Sequence, residues 1–189
     1  MPAGRQAQDD RFQMAEAMKN IVLIGFMGTG KSSVGRILAK RTKRELIDLD
    51  RYLEEKEKRK IREIFEKEGE SYFRKIEKAA VQHWAAERNK VIAAGGGLVV
   101  DPENVSVLKE NGILITLVAR PETIHDRVKR SKNRPLLSDK QDLLSEIKKL
   151  LEIRKPFYGQ SDYYFDTDGK NASQVAGMIL RVLAQKGIK

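Results

Sequence analysis

The residues best suited to chemistry lie between Gly25 and Ser33. Gly25, Gly30, Lys31 and Ser32 satisfy G-x-x-x-x-G-K-S, after the apolar run 21–24 and before a helical period at Val34, Ile37 and Leu38. Strand, glycine-rich loop and helix form the context in which this motif cradles phosphate. Glycines let the loop curl so that successive backbone N–H groups point at phosphate oxygens. The helix that follows adds the positive end of its dipole. The motif predicts nucleotide binding by Gly28, Thr29, Gly30, Lys31, Ser32 and Ser33. Lys31 would reach the β- and γ-phosphates and the Ser32 hydroxyl would sit on Mg2+. A dinucleotide-binding G-x-G-x-x-G is not met, because Gly28 and Gly30 are followed by Ser33.

Three further stretches carry candidate side chains. Asp48-Leu49-Asp50 closes a short β-pattern over 45–49. Carboxylates at the carboxyl end of a strand in a parallel sheet lie where ligands bind. Residues two apart on a strand share a face, so Asp48 and Asp50 can enter one site if the strand persists. One would support Mg2+ and the other accept a substrate hydroxyl. The alternative is helix capping by Asp50, ahead of a helical run from Arg51. Gly95-Gly96-Gly97 ends another short strand and permits close backbone approach to a ligand, or a flexible turn. Arg74 sits beside an apolar helical stripe that includes Tyr72, Phe73 and Ile76. Its spacing also fits a surface ion pair with Glu70 or Glu77. His83 and Trp84 read as packing residues.

These groups need a frame that brings them together. Strand patterns fall at 19–25, 45–49, 91–94, 113–119 and 163–166. Helical patterns fall between them, with Gly69 interrupting the run over 61–88, Pro121 opening another helix, and further helices predicted over 141–153 and 171–185. Alternating strands and helices predict an α/β fold with a parallel sheet. The polar, basic stretch 131–138 reads as a mobile lid. Residues 1–18 are polar and aperiodic, and are expected to form a disordered extension to a single domain over 19–189.

The chain has 189 residues, 34% of them charged, with a net charge of +10. A basic surface suits a phosphorylated ligand or nucleic acid. Here most basic residues alternate with acids and aromatics are only 6%, which argues against a nucleic-acid surface. Cysteine is absent, so disulfides and thiol chemistry are excluded. No run of transmembrane length or signal-peptide character is found, and a cytoplasmic, monomeric protein without membrane contact is expected.

Six motifs in fixed order carry a resemblance. They are G-F-M-G-T-G-K-S-S at 25–33, D-L-D at 48–50, F-R-K-I-E at 73–77, G-G-G at 95–97, R-P-L-L at 134–137 and R-K-P-F-Y at 154–158. Together they resemble shikimate kinase over about 20–184. The resemblance implies a P-loop kinase fold, three-layer α/β/α, with five parallel strands in the order 2-3-1-4-5 and a lid at about 127–140. It implies transfer of phosphate from ATP, with Mg2+, to the 3-hydroxyl of shikimate. By that similarity Asp50 holds the reacting hydroxyl, Arg74 and Arg154 grip the carboxylate, and Gly95, Gly96 and Gly97 line the substrate. Asp48 supports Mg2+ through water, Arg134 closes on the phosphates, and Arg127 and Lys170 lie toward the adenine. Gluconate and nucleoside-monophosphate kinases share the P-loop but are not expected to combine the other motifs. A nucleic-acid-binding or regulatory P-loop protein is the alternative from another class. Residues 159–162 depart from the family pattern where no ligand contact is expected.

Overall fold

The computed structural model describes residues 18–129 and 142–188. The expected extension (apart from Met18), most of the expected lid and Arg134 lie outside the described residues. The strands are β1 (Asn20–Ile24), β2 (Glu45–Asp48), β3 (Lys90–Ala93), β4 (Gly112–Val118) and β5 (Tyr163–Asp166). They form one sheet in the order β2-β3-β1-β4-β5, and every pairing is parallel. The helices are α1 (Lys31–Thr42), α2 (Leu49–Glu57), α3 (Ile61–Ala86), α4 (Pro102–Glu110), α5 (Pro121–Lys129), α6 (Leu143–Tyr158) and α7 (Ala172–Gln185).

β1 is central and buried along its whole length. This is why Ile21 to Ile24 form an unbroken apolar run rather than an alternation. Side chains on successive strand residues face opposite ways. Ile21 and Leu23 pack with Val34 and Leu38 of α1 and with Ile179 and Leu183 of α7. Val22 and Ile24 pack with Phe73 and Val81 of α3 and with Val105 and Leu108 of α4. The sheet thus has helices on both faces, and all its carboxyl ends point to one edge. A third cluster of Phe26, Ile124, Val128 and Ile147 ties the phosphate loop to α5 and α6.

Two helices have features that affect the site, one as expected and one not. In α3 the interruption expected at Gly69 is present, with φ 80° and ψ 173°, and the helix resumes after it as expected, its two halves joined across the bend. α6 was expected to end at 153. It runs instead through Pro156 to Tyr158, although an internal proline removes one helical hydrogen bond. The added turn is anchored from outside, because Arg154 Nη1 and Tyr158 Oη both donate to the Gly96 carbonyl, at 3.0 and 3.3 Å. The divergent stretch 159–162 then stitches α6 to the sheet. Ser161 Oγ lies 2.5 Å from Thr116 Oγ1, and Asp162 Oδ2 accepts from Leu114 N at 2.8 Å.

Candidate active site

The carboxyl edge of the sheet carries two joined pockets. The larger, about 410 Å3, is bounded by the loop 27–34, Asp48, Asp50, Arg127, Thr167 and Lys170. Gly30 takes φ 96° and ψ 15° and leads directly into α1, with no side chain capping the helix and no acid in its first turn. Elsewhere Asp48, Asp101, Asp142 and Asn171 cap the starts of α2, α4, α6 and α7. The first N–H groups of a helix lack intrahelical partners, and here they are left to the cleft as an anion site. Lys31 Nζ lies over the same loop, donating to the carbonyls of Gly25 and Phe26 at 2.8 and 3.0 Å. Thr29 Oγ1 holds the Phe26 carbonyl from within at 2.8 Å.

Arg127 closes the far wall of this pocket. Its guanidinium donates to Gly28 O at 3.2 Å, Thr167 Oγ1 at 2.9 Å and Thr167 O at 2.8 Å. It therefore fastens the turn after β5 to the phosphate loop. Lys170 lines the cleft from that turn, 3.4 Å from Asp166 Oδ2 and 3.2 Å from Asp168 O.

The smaller pocket, about 110 Å3, shares Met27, Asp50 and Gly96 with the first. Ile61, Phe65 and Phe73 give it apolar walls, and Arg74, Glu77 and Arg154 give it charge. Arg74 Nη1 donates to Glu77 at 2.6 Å, and its Nε and Nη2 donate to Glu70 at 3.1 and 2.9 Å. Arg154, only 7% exposed, lies with its guanidinium carbon 5.4 Å from the centre of the Phe26 ring. Glu77 is 2% exposed. Burial raises its pKa, an effect opposed by Arg74 and Arg154 and assisted by the nearby Asp50. Burial works against the Arg74 charge, but the ion pairs with Glu77 and Glu70 outweigh it and raise its pKa.

Each member of the glycine triplet leaves room for a particular neighbour. A methyl group on Gly95 would lie 2.8 Å from Asp50 Oδ1 and 2.9 Å from Glu77 Oε1. One on Gly97 would lie 2.8 and 2.9 Å from the two Arg74 Nη atoms, and one on Gly96 would lie 3.2 Å from Met27 N. The triplet is a backbone platform pressed between the carboxylates, the guanidinium and the phosphate loop, rather than a flexible turn.

The structure brings together Gly28 to Ser33, Asp48, Asp50, Arg127 and Lys170 in the large pocket and Asp50, Arg74, Gly95 to Gly97 and Arg154 in the small one. The strand reading of D-L-D needs correction. β2 stops at Asp48 and α2 begins at Leu49, so Asp50 stands in a first helical turn. The capping residue is Asp48, whose Oδ1 accepts from Arg51 N at 3.3 Å, and not Asp50. Both carboxylates still reach the cleft because the strand-to-helix turn lies at its rim. Arg74 makes both ion pairs allowed by its spacing, but Glu77 is buried, so that pair is no surface ornament. Sequence reasoning offered Glu77 only as a surface ion-pair partner of Arg74 and gave Thr167 no role. The i+3 spacing from Arg74 was the available signal for Glu77. Nothing local marked Thr167. His83 and Trp84 do pack, against each other and Tyr52.

A parallel 2-3-1-4-5 sheet, a phosphate loop after its central strand and a small pocket of apolar walls and charged groups beside it define a P-loop kinase of small molecules. The family model for shikimate kinase matches residues 27–184, and the chain belongs to that family. It is 47% identical over 164 residues to a shikimate kinase of Caldanaerobacter subterraneus subsp. tengcongensis, covering 87% of this chain and 95% of that one. It is 48% identical over 168 residues to one from Pelotomaculum thermopropionicum, covering 89% and 97%. Its structure resembles the shikimate kinase of Acinetobacter baumannii solved in complex with shikimate, with TM-score 0.87, 36% identity and coverage of 92% and 97%. A gluconokinase of Sinorhizobium meliloti shares the fold at 19% identity and TM-score 0.60. The chain is an ATP-dependent kinase acting on a small-molecule alcohol.

Proposed function

We propose that this protein transfers the γ-phosphoryl group of Mg-ATP to the 3-hydroxyl of shikimate, and that the two pockets divide the work. The observation that carries the reading is their junction. Asp50 belongs to both, so a hydroxyl held there faces the phosphate loop while its molecule fills the smaller pocket. Asp50 orients that hydroxyl and takes its proton. Arg74 and Arg154 hold the carboxylate, for which a planar guanidinium offers paired donors. Glu77 fixes the Arg74 fork. Lys31 and the uncapped N–H groups of α1 receive the phosphates. Arg127 and Lys170 border the nucleoside end, and Arg134 is assigned to the phosphates from the sequence alone.

Among the described residues no cluster of three or more His, Asp or Glu side chains is placed to hold a metal. This donor set fits Mg2+, which keeps several waters and binds through phosphates with one or two protein groups. Ser32 would ligate it directly and Asp48 through water. The ion would supply charge neutralisation at the phosphates. No helix among the described residues is long and apolar enough to cross a membrane. A cytoplasmic monomer is the proposed state.

Two substitutions test the assignment. Arg74→Ala should raise the shikimate KM at least about tenfold, as loss of one side of a buried charge pair does. Asp50→Asn should lower kcat by about 10²–10⁴-fold with a smaller change in KM. ATP binding without shikimate should change little in either. If both variants turn over like wild type and merely melt at lower temperature, the acceptor site has been misplaced.

A further inference from the structure

We infer that Tyr158 is a positioning residue of the acceptor pocket, its hydroxyl holding the Gly96 carbonyl in the orientation that Arg154 needs. The inference rests on the reading of Arg154 as an anion grip.

Arg154 and Tyr158 are one helical turn apart on α6, so their side chains share a face. Both end on the same atom: the Gly96 carbonyl accepts from Arg154 Nη1 at 3.0 Å and from Tyr158 Oη at 3.3 Å. A carbonyl oxygen has two lone pairs and can take both. Tyr158 is 8% exposed, and phenylalanine would fill the same apolar space. What the tyrosine adds is one hydroxyl, which donates where the substrate-facing backbone has its central carbonyl and lies within hydrogen-bond reach of Arg154 as well. The main chain beneath the ring is fixed as well, because Tyr158 O accepts from Tyr164 Oη at 2.8 Å and from Ser161 N at 3.3 Å. The hydroxyl therefore acts from a rigid base.

The Gly96 peptide is the middle of the glycine platform. Rotating the peptide between Gly96 and Gly97 would strand the Tyr158 hydroxyl, in a platform whose flanking glycines closely face the Asp50 and Glu77 carboxylates and the Arg74 guanidinium. It would also take away the acceptor that directs Arg154. The Phe26 face would remain as a contact for that guanidinium, but a ring face fixes its distance better than its rotation. Tyr158 thus acts on the substrate through Arg154 and the Gly96 peptide without touching it.

The experiment is a double-mutant cycle of Tyr158→Phe and Arg154→Lys, read by steady-state kinetics and by calorimetric Kd values for shikimate and for ATP. Tyr158→Phe should raise the shikimate KM and Kd about three- to tenfold, the effect of one neutral hydrogen bond. It should leave kcat within about twofold and the ATP Kd unchanged. In the Arg154→Lys background the planar fork is already lost. The same change should then add less than about twofold, because the two residues act as a unit. A lower melting temperature with unchanged KM and Kd would make the hydroxyl merely structural and overturn the inference. Full additivity would overturn it too, since Tyr158 would not act through Arg154. If Arg154→Lys itself leaves the shikimate Kd unchanged, the reading of Arg154 fails instead, and the inference fails with it.

Discussion

A methyl group added at Gly95 would meet the ends of two carboxylates, Asp50 and Glu77, at 2.8 and 2.9 Å. Asp50 has one carbon between its carboxylate and the backbone and cannot swing far without leaving both pockets. Gly95→Ala should therefore cut kcat/KM for shikimate by about 10–100-fold, the scale of an ångström-sized misplacement of a reacting group. Its ATP Kd should stay near wild type, and a proportionate loss of ATP binding would show that the clash is not confined to the acceptor side. Tyr158 allows a test at the same scale by pH. Burial pushes its pKa up to about 12, above the unfolded value near 10. A raised pKa means that the folded state keeps the proton when the unfolded chain begins to lose it. The contribution to stability is full below pH 10, falls from about pH 10 to 12, and amounts to about 3 kcal/mol. Urea midpoints of wild type and Tyr158→Phe should run parallel up to pH 9.5 and converge or cross above it as the wild type weakens faster. Parallel curves to pH 11.5 would contradict the burial argument.

At the scale of elements, α3 depends on the bend at Gly69. Its dihedrals lie in a region that is essentially reserved for glycine, at about 1–3 kcal/mol for other residues. A side chain there would meet nothing within 4 Å, so the strain is in the backbone and not in packing. The half before the bend supplies Ile61 and Phe65 to the acceptor pocket, and the half after it supplies Phe73, Arg74 and Glu77. Gly69→Ala should lower the melting temperature by several degrees and raise the shikimate KM more than the ATP KM. An unchanged KM would show that the two halves hold the pocket without the bend. The sequence made this break legible, because glycine in a strong helical pattern has few other uses. It also made β1, the phosphate loop, the helix start at Pro121 and the final helix legible, since each rests on residues close in the chain. The end of β2 and the length of α6 were not. Either aspartate of D-L-D could cap the helix that follows, and the local pattern pointed to Asp50 where Asp48 takes that role. α6 passes Pro156 only because Gly96, some sixty residues away, holds Arg154 and Tyr158. Glu77 and Thr167 gained roles through partners brought together by the sheet.

Taken whole, the molecule gathers both pockets at one edge because five parallel strands end there, and its +10 charge favours the approach of two anionic substrates. That edge also contains the bare start of α1, where four of the other helices have a side-chain cap. With glycine in the capping place a helix is weaker by only about a few tenths of a kcal/mol, but its first N–H groups lack a side-chain partner, and this is the helix that packs against the centre of the sheet. On the proposed reading, bound polyphosphate would complete that helix, and saturation would then be part of this enzyme's durability. At a hundredfold excess over Kd a ligand adds about 2.7 kcal/mol, which for a chain of this size is a rise of about 5–10 °C in melting temperature. ATP or tripolyphosphate without shikimate should produce a rise of that order, and Lys31→Ala should lose most of it. Equal shifts in both proteins would mean that the phosphates bind elsewhere. In a starved cell, falling ATP would then do more than slow turnover: it would enlarge the unfolded fraction open to proteases and shorten the lifetime of the protein itself.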